Sequence, residues 1–217
     1  MAGSDPGAKV CEWLEAVRRY RSPSREERVT LSPTESALLV IDMQRYFLDE
    51  DSHACVPAGR SVLENIRKLA DFFRAKRRPV IFTRHALLDE EPAGIMERWW
   101  SDVLRVGDPL SEFAPEIAPE PSDQVLRKTR YSAFVGTDLD SVLRTNGVRS
   151  VVVTGVMTHL CCETTARDAF MRDFDVYFVV DGTASSDEEL HLSSLRTLTD
   201  GFAVPVTTKE VLAWMSE

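Results

Sequence analysis

Short, uninterrupted apolar runs separated by segments of helical spacing constrain this chain more than any other feature. Ala37-Leu-Leu-Val-Ile41, Val80-Ile-Phe82, Ser150-Val-Val-Val-Thr154 and Val176-Tyr-Phe-Val-Val180 show no alternation of apolar and polar residues. A strand with one wet face alternates, so strands without alternation are covered on both faces. Between the runs, Val62, Ile66, Leu69 and Phe73 recur at helical spacing, which makes 61–76 an amphipathic helix stopped by Pro79. Thr137 with Asp140 reads as a capping box that opens a helix to Asn146, closed by Gly147. A further helix is expected over 160–172. Ser186 with Glu189 caps another to about Asp200, and Thr207 with Glu210 caps the last. Val125-Leu126 and residues 203–206 are weaker strands. Strands alternating with helices predict an α/β fold, a parallel sheet between two helical layers with right-handed crossovers. Ligands of such sheets bind outside the carboxyl ends of the strands.

The chain divides into an N-terminal helical extension, residues 1–35, and one domain, residues 36–217. Within the extension, 10–20 has amphipathic spacing and 21–28 is polar and expected to be loop. The extension is expected to pack on the domain surface or on a second subunit. Residues 86–123 are too long for a simple connection, and Trp99 and Trp100 fall in a short helix there, the pattern of a lid. In 217 residues, 26 Lys and Arg against 35 Asp and Glu leave a formal charge of −9. That balance argues against nucleic acid and against an anionic membrane as partner. No run approaches the ~20 apolar residues of a membrane span. Met1 to Lys9 has no apolar core of a secretory signal. Cys11, Cys55, Cys161 and Cys162 form no CxxC pair, so free thiols in a reducing cytoplasm are expected, each a small buried hydrophobe.

The strand ends carry chemistry. Ile41 is followed by Asp42, and Phe82 by Thr83-Arg84-His85; the third strand runs into Lys128 and the fourth into Gly155-Val-Met-Thr-His-Leu-Cys-Cys162. Singly, each has a plainer reading: Asp42 a turn residue, Lys128 a surface charge, Cys161 a packed thiol. Together at one sheet edge they form an acid, a cation and a nucleophile. Cys161 would open a helix whose N-terminus lowers the thiol pKa, and Asp42 would accept its proton. Backbone N–H groups in the Met157–Cys161 turn are placed for an oxyanion. The chain has no GxxxxGK[ST], no GxGxxG after the first strand, no GxSxG and no HExxH.

Leu38-Leu-Val-Ile-Asp-Met-Gln44, Lys128-Thr-Arg-Tyr-Ser-Ala-Phe134 and the stretch from Thr154 to Phe170 resemble the isochorismatase-like hydrolase superfamily. The resemblance implies a Rossmann-like, three-layer α/β/α fold with a six-stranded parallel sheet, order 3-2-1-4-5-6. It implies that Asp42, Lys128 and Cys161 are a catalytic triad, that the Val156–Met157 peptide is cis, and that the Met157 and Cys161 N–H groups form the oxyanion hole. Cysteine hydrolases of the family cleave small amides, whereas true isochorismatases cleave a vinyl ether and have Gly at the thiol position. Cys161 points to the amide branch, although the sequence around Lys128 reads close to the isochorismatase branch. The Asp-x-His…His metal site of the nicotinamidases has His85 at its Asp position here and no second histidine until His159, so no metal and no cofactor are expected. Gln44, Tyr46, Phe47, His85, Trp99, Trp100 and His159 are the expected substrate contacts. His53 and His191 are expected at the surface, Cys162 in the core and Asp168 in a structural role; Arg84, Arg98 and Arg130 read as surface residues. The expected function is a metal-independent cysteine hydrolase acting on a small-molecule amide through a thioester, as a cytoplasmic homo-oligomer, dimer or tetramer. The alternatives are a vinyl ether hydrolase with Asp42 as acid, and a redox or ligand-binding protein.

Overall fold

The computed structural model describes residues 6–27 and 31–216. Strands β1 (Ser36–Ile41), β2 (Val80–His85), β3 (Gln124–Lys128), β4 (Ser150–Val156), β5 (Asp175–Ala184) and β6 (Val204–Val206) form one sheet in the order β3-β2-β1-β4-β5-β6. Every pairing is parallel. All residues of β1 and β4 are buried, as their unbroken apolar runs require. Each buried Val, Leu or Ile contributes about 1.5–3 kcal/mol. The strands run past their apolar runs: β2 extends through Thr83-Arg84-His85 and β4 through Val156, where the polar ends carry no hydrophobic signal.

Helices cover both faces. On one, α4 (Leu63–Ala75) and α9 (Thr208–Trp214) set Ile66, Leu69, Phe73 and Val211 against Leu38 and Val40. On the other, α6 (Leu139–Thr145), α7 (Glu163–Phe170) and α8 (Glu188–Gly201) set Leu143, Ala166 and Leu195 against Leu39 and Ile41. Helix α1 (Pro6–Arg18) lies on this second face against α8 and β5, with Val17 buried, so the extension packs on the domain. Among the described residues, no helix is long and apolar enough to cross a membrane.

Several local expectations need correction. The polar stretch 21–28 contains a short helix, α2 (Pro23–Glu26). The Thr137–Asp140 capping box does not form, because the Thr137 hydroxyl donates back to the Ala133 carbonyl and Asp138 occupies the cap. Helix α8 is capped by Asp187, which accepts from the Glu189 and Leu190 N–H groups, rather than by Ser186. The helix expected from 160 starts as a π turn, Thr158–Cys162, before α7. The Thr207–Glu210 box is present as expected. Cys11 is exposed and Cys55 half-buried, while Cys161 and Cys162 are buried free thiols. His191 is buried, not at the surface, because Trp13 of α1 covers it with ring centroids 4.5 Å apart.

Candidate active site

The site forms where the strand order reverses, between the carboxyl ends of β1 and β4. Asp42 leaves β1 at φ 49, a left-handed conformation rare outside glycine, which turns its side chain out of the sheet register. Beside it, Gly155 pairs with Ile41 at φ +111; a Cβ there would lie 2.1 Å from the Ile41 carbonyl oxygen, so only glycine allows this approach. The Val156–Met157 peptide that follows is cis. The π turn then carries Cys161 over the end of the sheet. Lys128 arrives as the last residue of β3, in register with His85.

Three strand ends thus meet. Lys128 Nζ lies 2.7 Å from Asp42 Oδ2 and 3.4 Å from Cys161 Sγ, and donates to the Arg130 carbonyl at 2.9 Å. The ammonium thus makes two hydrogen bonds and an ion pair with Asp42. Thr83 Oγ1 donates to Asp42 Oδ1 at 2.6 Å and accepts from the Asp42 N–H at 3.1 Å. Asp42, Lys128 and Cys161 are all buried. Burial opposes the Lys128 charge, but the Asp42 and Cys161 groups hold its pKa above the ordinary value. Burial pushes the Cys161 thiol up to about 12, against the pull of Lys128 and with the help of Asp42. This corrects the expectation of a lowered thiol pKa: burial favours the neutral Cys161 thiol. The desolvated sulfur faces both a cation and an anion, so the cation cannot act alone.

Above the sulfur opens a cavity of about 300 Å³. Met157, His159, Leu160 and Cys161 line it, with Tyr46, Phe47, His85 and Trp100. Asp42 and Lys128 lie beneath the thiol rather than in the wall. Helix α3 (Arg45–Leu48) supplies Tyr46 and Phe47, and α5 (Ile95–Trp100) supplies Trp100, whose Nε1 donates to the Tyr131 hydroxyl at 2.7 Å. Trp99 is 73% exposed and does not line the cavity, because the short helix turns it to the outside. Gln44 does not line it either. Its amide is spent on the backbone, accepting from the His85 N–H at 2.7 Å and donating to the His85 and Ser111 carbonyls.

His85 reaches the cavity with Nδ1 buried and unpartnered; burial, then Lys128, lowers its pKa to about 4. His159 is lowered by burial and its Nδ1 pairs with the Ser185 hydroxyl. Sequence reasoning missed His53, Asp102 and Tyr131 in the wall and Thr83 beneath it. The wall residues return from loops with no period to mark them, while Thr83 could be found as a polar residue closing a buried strand. Arg84 is held by Ser111 and Glu112, and Arg130 by the Thr129 carbonyl. Asp168 accepts from Ser132 and Arg172, a structural role. Cys162 points into the core toward the Thr154 carbonyl. Among the described residues, no group of three or more His, Cys, Asp or Glu side chains is gathered to hold a metal ion.

An open parallel sheet with a thiol, a carboxylate and an ammonium at its reversal point defines the class, and the comparisons agree. Residues 36–210 match the isochorismatase domain, and the chain belongs to the isochorismatase family of hydrolases. It is 38% identical over 191 residues to Nicotinamidase 3 of Arabidopsis thaliana, which spans 87% of this chain and 90% of that protein. It is 33% identical over 206 residues to the Isochorismatase of Bacillus subtilis (strain 168), 92% of this chain and 66% of that one. The crystal structure of a cysteine hydrolase from Pseudomonas syringae pv. phaseolicola 1448A matches with TM-score 0.84 and 30% identity, over 87% of this chain and 96% of that chain. The relatives include a nicotinamidase and an isochorismatase, so family membership establishes a hydrolase and leaves the bond it cleaves open.

Proposed function

We propose that this hydrolase is a metal-independent cysteine amidohydrolase that cleaves the C–N bond of a small amide. The observation that carries the reading is Cys161 in the cavity wall, its Sγ 3.4 Å from Lys128 Nζ, with the Asp42 carboxylate paired to that ammonium at 2.7 Å. Asp42 takes the thiol proton as Sγ attacks the amide carbonyl carbon. The oxyanion that forms is received by the Met157 and Cys161 N–H groups. The proton passes from Asp42 to the departing nitrogen, the C–N bond breaks, and an acyl thioester remains on Cys161. Water then adds to the thioester, the acid leaves, and the thiol regains its proton. Lys128 offsets the charges of Asp42 and of the attacking sulfur.

A vinyl ether hydrolase would need Asp42 to deliver a proton to substrate. That reading is disfavoured because it leaves no task for the Cys161 thiol, which lines the cavity 3.4 Å from Lys128 Nζ. A panel of small primary amides together with isochorismate, offered to wild type and Cys161→Ala, tests the choice. Amide turnover that falls at least about a thousandfold in Cys161→Ala is expected. Isochorismate turnover that survives Cys161→Ala would replace this reading with the ether hydrolase.

A further inference from the structure

Apart from its histidines, the cavity wall carries charge of one sign. Among the described residues lining it there is no Lys or Arg, and its acidic residue is Asp102. Beneath the thiol Asp42 and Lys128 form an ion pair, and Lys128 and Arg130 act on His85 from outside the wall. His85, lowered to about 4, and His159, also lowered, add no positive charge at neutral pH. Asp102 is held in place from three sides. Tyr46 donates its hydroxyl to Asp102 Oδ2 at 3.0 Å, His53 Nε2 lies 3.0 Å from the same oxygen, and the Val103 N–H donates to Oδ1 at 2.8 Å. Burial and the neighbouring Asp102 raise the Tyr46 phenol well above its ordinary value, so it stays a donor. Phe47, Met96, Trp100, Leu104 and Leu160 supply the apolar part of the wall.

We propose that Asp102, positioned by Tyr46 and His53, selects substrate by charge. The amide that fits is flat and mostly apolar, and outside its reacting carboxamide it is uncharged or carries a cationic, hydrogen-bond-donating group. Amides bearing a carboxylate are disfavoured. The substrate class rests on the amidohydrolase reading, while the charge preference is a property of the cavity. A carboxylate held about 6 Å from Asp102, at an effective dielectric between protein surface and water, is repelled enough to lose about tenfold in affinity.

The probes are benzamide, 4-carboxybenzamide and 4-(aminomethyl)benzamide, with dissociation constants read from tryptophan fluorescence in Cys161→Ala, so that binding is measured without turnover. Wild type supplies the same ranking from kcat/KM. The expected order is aminomethyl tightest and carboxy weakest, with carboxy about tenfold below benzamide and the gap narrowing as salt is raised. Asp102→Asn should close the gap between carboxy and benzamide, and Asp102→Lys should invert it, with the change carried by KM rather than kcat. Tyr46→Phe, which frees the carboxylate on one side, should weaken the preference in part. A carboxy probe that binds as well as benzamide, a ranking unmoved in Asp102→Lys, or no binding of any probe overturns the proposal. The expected binding order without turnover of any amide in wild type would leave charge selection standing and reject the amidohydrolase reading.

Discussion

Burial raises the Cys161 thiol, and Lys128 and Asp42 pull on it in opposite directions. Lys128 Nζ lies nearer the Asp42 carboxylate, at 2.7 Å, than the sulfur, at 3.4 Å, and burial favours the protonated thiol. Cys162, one residue on, meets none of these charges at hydrogen-bond distance and packs in the core. Cys162→Ala should therefore retain most activity and lose about 1 kcal/mol of stability, read from a urea midpoint. Two buried histidines set an acid limit. His85 and His191 are each lowered to about 4 by burial. A histidine lowered in the folded state favours folding above its unfolded pKa of about 6.5, and that contribution is lost as pH falls from there toward 4. Each should cost about 2 kcal/mol between pH 6.5 and pH 5. Urea unfolding at the two pH values checks this, and His191→Gln should remove about half of the drop. An unchanged pH dependence in that variant would place the acid sensitivity elsewhere.

At the scale of elements, the turn between β4 and α7 is braced from behind by an addition to the family domain. Trp13 of α1 stacks on His191 of α8, and His191 Nδ1 lies 2.9 Å from the Thr158 hydroxyl at the start of the nucleophile turn. The residues facing His191 with charge are Glu188 on its own helix and Lys9 on α1, themselves paired at 2.8 Å. Trp13→Ala should open His191 to water, raising its pKa from about 4 toward the ordinary value, and lower stability by about 2 kcal/mol. An NMR titration of the His191 ring reads the shift, and an unmoved titration would show that Trp13 is not what shields it. Gly155→Ala is harsher: with 2.1 Å to the Ile41 carbonyl and φ +111, loss of soluble folded protein is expected. The strands were legible because unbroken apolar runs leave few alternatives. Their ends were not, since Thr83-Arg84-His85 and Val156 carry functional or irregular geometry instead of periodicity. The caps of α6 and α8 were misread because a Thr or Ser three residues before an acid fits the pattern even when the Thr137 hydroxyl turns back to Ala133 or Asp187 takes the cap.

In the whole molecule, the sheet order does the assembling. Residues 86 positions apart between Asp42 and Lys128, and 33 between Lys128 and Cys161, meet because β1, β3 and β4 end on one edge. That convergence was readable from the polar residues that follow the apolar runs, and the motif resemblance named the same residues. The Asp102–Tyr46–His53 wall was not readable, because the loops that return it to the cavity leave no spacing to follow. The central claim is that these three strand ends act as one electrostatic unit in which Asp42 opposes and Lys128 favours the Cys161 thiolate. The pH profile of Cys161 alkylation by iodoacetamide, read by peptide mass mapping to separate it from Cys11 and Cys55, tests it most directly. Wild-type Cys161 should alkylate slowly up to about pH 9, above the range of a free thiol. Asp42→Asn should shift the profile to lower pH while abolishing turnover, and Lys128→Met should shift it to higher pH. Profiles that coincide in wild type and both variants would contradict the account.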